Sequence, residues 1–283
     1  VTSAIKQLRP FTGLTEAEAQ FLEAGAEPRE FAPGESLDTD SALFVILEGG
    51  VRLEVDARDG RAVLGALEAG GLLGEMGLFE PDRVRIHAVA DKHTECLVWT
   101  LADLKSSFRY SRTAAAKFMA VFSASLSQKI RLANALLERA PDAASGDGRP
   151  RELDALDLKR LRSFAVSRDF EPGTVIFEEG DTGRELFVIA EGEVDILKKA
   201  DDQTLTLASL GPGDFFGEMA FVDASPRSAG AVARSSLHVH VIGANSLERI
   251  FQYNVGTALY FTNVLCKIMA RRLDATLRRI VPA

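Results

Sequence analysis

The strongest constraint on this 283-residue chain is that it repeats itself. LFVILEGGV at Leu43 to Val51 returns as LFVIAEGEV at Leu186 to Val194, an offset of 143. Gly74-Glu75-Met76 returns at the same offset as Gly217-Glu218-Met219. Matches in one register mean a duplicated folding unit, and the length suits about two domains, each with its own core. An upstream pair, FAPGESL at Phe31 and FEPGTVI at Phe170, is offset by only 139. The first copy has therefore lost four residues before the common strand, among them the counterpart of Glu179-Gly180. The expected division is a first domain over 1–139, a linker over 140–152 and a second domain over 153–283.

Local patterns give each unit the same order. Thr15 to Ala24 opens with a Thr-x-x-Glu and predicts a capped helix. Short runs punctuated by glycine, at Phe44 to Leu47, Val51 to Val55, Val63 to Leu67, His87 to Ala90 and Glu95 to Thr100, have the spacing of a β-roll. Apolar residues at helical intervals then predict a long helical stretch from Ala102 to Arg139, broken near Tyr110-Ser111. APDAASGDGRP, Ala140 to Pro150, lacks periodicity and reads as an exposed boundary. A helix at Leu153 to Ser163, strands between Phe170 and Val241 and helices from Ser246 to Arg279 repeat the plan. The fold class expected is α+β: two tandem, jelly-roll-like β-rolls, each followed by long α-helices.

Phe216 to Ala233, FGEMAFVDASPRSAGAVA, carries the chemistry. Gly217 lets backbone approach a ligand without a side chain in the way. Met219-Ala220-Phe221 suits a short helix whose first N–H groups have no intrahelical partner and so face an anion. Arg227 supplies a permanently charged fork for phosphate oxygens, and Pro226 restricts the chain before it. Glu218 fits beside an anion if it accepts from a ribose hydroxyl or holds the arginine. Phosphate plus ribose points to a nucleotide.

These residues resemble the phosphate-binding cassette of the cyclic nucleotide-binding domain family, found in bacterial catabolite activators and in protein kinase A regulatory subunits. FEPGTVIFEEGD at Phe170 to Asp181, LFVIAEGEV and MARRLDAT at Met269 to Thr276 extend the resemblance over nearly all of 153–280. It implies that Gly217 and Ala220 give N–H groups to a cyclic phosphate, within a pocket that includes Phe216 and Met219. Glu218 would bind the ribose, Arg227 the phosphate, and Ser228 would add a phosphate or purine contact. Thr276 stands where catabolite activators place a threonine on the adenine, so cAMP is the ligand implied first, with cGMP the alternative. In the first copy the position of Arg227 is held by Val84, flanked by Arg83 and Arg85. A register with one extra residue selects Arg85, so a first site would comprise Gly74, Glu75, Met76, Arg85 and Asn134. The other reading is a degenerate copy kept for packing.

Composition limits the alternatives. A net charge of −8 argues against a large phosphate-backbone footprint. The chain also ends shortly after MARRLDAT, so no direct DNA binding is expected. No apolar run reaches the roughly 18 residues of a membrane span, and the N-terminus lacks a secretory pattern, so a cytoplasmic location is expected. Cys96 and Cys266 sit in apolar segments and read as buried small hydrophobes. His238 and His240 share a strand face but have no evident third ligand, so no metal is expected. No catalytic constellation and no cofactor are expected.

The expected function is a non-enzymatic cyclic nucleotide receptor that signals to a protein effector through its helices. The alternative is a scaffold with vestigial sites, or a sensor of another ligand such as a cyclic dinucleotide. The resemblance further suggests an intramolecular pseudo-dimer, with the helix near Ala114 to Leu137 against that near Gly256 to Leu277. A monomer is then expected, a homodimer being the alternative.

Overall fold

The computed structural model describes residues 2–57, 60–138, 162, 164–200 and 203–281. The expected linker and nearly all of the helix expected at Leu153 to Ser163 lie outside the described residues.

In the first copy, α1 (Glu16–Glu23) begins at the predicted cap: Thr15 accepts from the Glu18 N–H and Glu18 reaches back to the Thr15 N–H. Eight strands follow: β1 (Glu27–Phe31), β2 (Ser36–Leu37), β3 (Ala42–Glu48), β4 (Gly50–Ala57), β5 (Gly60–Glu68), β6 (Leu72–Leu73), β7 (His87–Ala90) and β8 (Thr94–Thr100). They form two four-stranded antiparallel sheets, in the orders β1-β8-β3-β6 and β2-β7-β4-β5. Alternation sets the inward face: Val51, Leu53 and Val55 are fully buried, while Arg52 and Glu54 between them are not. The helical stretch breaks where expected, into α2 (Leu101–Tyr110) and α3 (Arg112–Glu138), with Ser111 extended between them.

The second copy rebuilds the same sheets. Its strands are β9 (Val166–Phe170), β10 (Val175–Phe177), β11 (Glu185–Glu191), β12 (Val194–Ala200), β13 (Gln203–Leu210), β14 (Phe215–Phe216), β15 (Gly230–Ala233) and β16 (Leu237–Gly243). Their orders, β9-β16-β11-β14 and β10-β15-β12-β13, match the first copy strand for strand. The duplication read from sequence is a duplication of topology. Between β14 and β15 lies α4 (Glu218–Asp223); α5 (Ala244–Tyr253) and α6 (Val255–Ile280) follow β16. The β-roll core gathers Phe187, Ile189, Val194, Phe216, Ala231, Val239 and Val241.

Contacts divide the chain into two compact units, Val1–Gly146 with Val255–Ala283, and Asp147–Asn254. The last helix, expected to complete the second domain, thus groups with the first copy. The physical reason is its apolar face. Ala258, Phe261, Leu265, Met269 and Leu273 recur at helical spacing and are buried, as are Phe118, Phe122, Leu126 and Ile130 of α3. The Cys266 thiol donates to the Met119 carbonyl at 3.1 Å, fixing α6 along α3. The paired long helices suggested by the pseudo-dimer reading are therefore present, and both belong to the first unit. No helix among the described residues is long and apolar enough to cross a membrane.

Candidate nucleotide site

In the second unit, β14 delivers its two phenylalanines to the core and ends at Gly217, whose φ of 79° opens α4. The glycine is required twice over. Besides the left-handed backbone, a Cβ here would lie 2.6 Å from Arg227 Nη1 and 2.9 Å from the Glu185 carbonyl. Glu218, Met219 and Ala220 form the first turn of α4 and are buried.

Arg227 reaches back across this turn. Its Nη1 donates to the carbonyls of Gly217 and Glu185, each at 2.9 Å, and its Nη2 to Glu185 Oε2 at 3.0 Å. The guanidinium carbon lies 4.2 Å from the centroid of Phe177 and 5.7 Å from that of Phe187. Phe187 is itself stacked on Phe216 at 4.9 Å. Only 3% of the arginine side chain is exposed. Burial pulls its pKa down, against the carboxylates of Glu185, Glu218 and Asp181. Arginine does not give up its proton in this range, so the cost appears as a buried cation held by carboxylates and rings. Its Nε is buried and has no hydrogen-bond partner among the described residues. A buried, unmatched donor on a cation favours an anionic oxygen as its acceptor. Ser228 Oγ donates to Met219 Sδ at 3.4 Å.

The structure thus brings Phe216, Gly217, Glu218, Met219, Ala220, Arg227 and Ser228 together in one unit. Thr276 is half-buried on α6 and belongs to the other. Sequence reasoning missed Glu185, the main partner of Arg227, because a glutamate at a strand start carries no pattern of its own.

The first copy keeps the backbone of the site and changes its contents. Gly74 adopts φ 90°, and Glu75 and Met76 follow it, buried. Glu75 Oε1 accepts from Ser125 Oγ at 2.8 Å and from Lys129 Nζ; the same ammonium donates to the Leu72 carbonyl and to Ser125, both at 2.7 Å. Ser125 and Lys129 both come from α3. Burial pulls the Lys129 pKa down, with the Glu75 carboxylate opposing. The cavity beside this pair, lined by Gly74, Glu75, Met76, Arg83 and Lys129 among others, holds about 20 Å³. That is room for a water.

The arginine selected by spacing is not the one the structure turns inward. Arg85 pairs with Asp40 and is 64% exposed, whereas Arg83, 11% exposed, donates to the Thr39 carbonyl and to Asp40 at 3.3 and 2.7 Å. A shift of two residues along an irregular loop separates them, which offset counting does not detect. Val84, at the position of Arg227, gives its N–H to Asp274 on α6 at 2.7 Å. Arg278 then pairs with Asp274 and donates to the Asp82 carbonyl, and Arg271 pairs with Glu80. Asn134 is half-buried on α3. Gly74, Glu75 and Met76 are brought together; Arg85 is directed elsewhere.

His238 and His240 do lie on one face, but Asp169 and Ser167 of β9 take their Nδ1 atoms at 2.6 and 3.1 Å. Among the described residues no group of three ligating side chains is placed to hold a metal.

Comparison with known proteins places a model of the cyclic nucleotide-binding domain on residues 28–110 and 167–254, more than half of the chain and one match per copy. The chain is 26% identical over 187 residues to a cAMP-dependent protein kinase regulatory subunit of Pyricularia oryzae, covering 66% of this chain and 42% of that protein. It is 43% identical over 72 residues to the cyclic AMP receptor protein of Thermus thermophilus, covering 25% and 33%. It spans less than half the length of either relative. Among solved structures, the regulatory domain of Toxoplasma gondii PKA with cAMP aligns over 91% of this chain and 92% of that one, at 15% identity and a TM-score of 0.35.

Proposed function

This chain belongs to the cyclic nucleotide-binding domain family, and from that premise we propose that it is a non-enzymatic receptor for one cyclic nucleotide per chain, cAMP first, held by the second copy. The observation that carries this reading is Arg227: a buried cation on an aromatic platform, with a hydrogen-bond donor unmatched, beside the first turn of α4. Arg227 and the N–H groups of that turn bind the cyclic phosphate, and Glu218 accepts from the ribose. The relatives named for cAMP support the choice of nucleotide.

The first copy serves as structure. Its cassette carboxylate is spent on Lys129, and the cavity beside that pair is far smaller than a nucleotide. Ligand binding changes a surface read by a protein effector, and the kinase regulatory subunits among the relatives make a kinase the partner to try first.

Isothermal titration of nucleotide-free protein with cAMP and with cGMP tests the reading. Saturable binding of cAMP at one per chain supports it. Two per chain would restore the first copy, and no binding of either nucleotide to folded protein would refute the receptor.

A further inference from the structure

The turn that the first copy lacks is what grips Arg227 in the second. Glu178 to Asp181 close on themselves, the Glu178 N–H donating to Asp181 Oδ2 at 2.8 Å. From this turn the Gly180 N–H donates to the Arg227 carbonyl, and the Arg227 N–H donates to the Asp181 carbonyl, each at 2.9 Å. The next residue is held from the sheet: Lys198 Nζ on β12 donates to the Ser228 carbonyl at 3.1 Å and pairs with Glu179 Oε1 at 2.8 Å. The second oxygen of Glu179 accepts the Lys199 N–H at 3.1 Å, fixing the carboxylate. Burial pushes the Glu179 pKa up, but these hydrogen bonds outweigh it and hold the carboxyl below its ordinary range.

The first copy supplies the comparison. Glu179 falls in the four deleted residues, Lys198 corresponds to the fully buried Val55, and Arg227 to Val84. Turn, lysine and arginine are missing together from the copy whose cassette carboxylate is taken by Lys129.

We propose that Lys198, Glu179 and the turn over residues 178–181 form a latch that sets Arg227 for anion binding, with Lys198 a positioning residue that does not itself contact the ligand. Its charge is already matched by Glu179, so its contribution is geometric and not a second positive charge for phosphate. The proposal rests on the reading of Arg227 as the phosphate contact.

The test compares Lys198→Met and Lys198→Arg in the full chain, by cAMP titration and by amide hydrogen exchange at Gly180 and Arg227, with β11 amides as the reference for folding. Lys198→Met should weaken cAMP by about tenfold at unchanged stoichiometry, the scale of one charge-assisted hydrogen bond. It should also lose protection at Gly180 and Arg227 while β11 keeps it. Lys198→Arg should restore both. Parent-like affinity and protection in Lys198→Met would overturn the latch, as would weakened binding with protection intact, which would make the lysine a direct charge. If the parent itself binds no cAMP, the receptor reading fails, and the exchange comparison still decides whether the latch holds Arg227.

Discussion

The N–H of Val84 donates to the Asp274 carboxylate at 2.7 Å, while at the matching position of the other copy the N–H of Arg227 donates to the Asp181 carbonyl at 2.9 Å. One duplicated position has two solutions. Where the turn survives, backbone satisfies backbone and the arginine side chain keeps one donor, Nε, unmatched. Where the turn is lost, an acid on α6 takes over and the cassette loop becomes a docking point for that helix. Asp274→Ala should leave the Val84 N–H without its acceptor and Arg278 without its carboxylate, lowering the stability of the first unit by about 1 to 3 kcal/mol in urea unfolding. Ligand stoichiometry should not change. An unaltered unfolding midpoint would make Asp274 a bystander.

Arg227 carries the ligand prediction. Removing one side of a desolvated charge contact costs about 2 to 5 kcal/mol, roughly thirtyfold to several thousandfold in affinity. Arg227→Ala should thus nearly abolish cAMP binding, and Arg227→Lys should recover little, since a lysine lacks the planar fork that spans Gly217 and Glu185. Arg85→Ala, at an exposed residue paired with Asp40, should bind as the parent does. Titration calorimetry on the three variants separates these outcomes; full affinity in Arg227→Ala would remove the site.

Much of this was legible in the sequence because duplication and glycine leave strong marks. The strands, the break at Ser111 and the capping box followed from patterns of two, of three to four, and of Thr-x-x-Glu. Gly217 and Arg227 followed from chemistry that admits few residue types. What was not legible depended on distant contacts. The grouping of α6 with the first copy needs its apolar face matched to α3, which sequence order does not give. That Arg83 is the less exposed of the pair, and Arg85 the more exposed, depends on the path of an irregular loop. Lys129 reads as an ordinary helix lysine until Glu75 is found against it.

That buried pair makes its own prediction. Breaking it from one side strands the other charge in the interior, which costs about 3 to 5 kcal/mol; replacing both partners by uncharged residues of similar volume is often near neutral. Lys129→Met should accordingly be strongly destabilising, because Glu75 Oε2 already lacks a partner among the described residues. The double variant Lys129→Met with Glu75→Gln should regain most of the loss. Thermal or urea unfolding of both measures it, and additive losses would mean that the two side chains are not coupled.

In the second unit His240 adds a pH dependence just below neutrality. The imidazole, on β16 opposite Ser167 of β9, is buried, and burial, with His238 and Arg162 adding to it, holds its pKa below the ordinary histidine value. The unfolded chain takes up this proton near pH 6.5, while the folded chain takes it up only at lower pH. Between those two values the unfolded state binds more protons, so stability rises with pH there. The contribution is complete above the ordinary value and is lost as pH falls from it toward the folded value. One proton limits the slope to about 1.4 kcal/mol per pH unit. Urea unfolding of the parent and of His240→Gln at pH 7.5 and pH 5.5 tests this, because the difference between the two proteins cancels the other titrating groups. The parent should lose more stability than the variant on acidification. Equal losses would show that His240 accepts its proton as readily folded as unfolded, and that Ser167, whose Oγ lies 3.1 Å from its Nδ1, accommodates the charged ring.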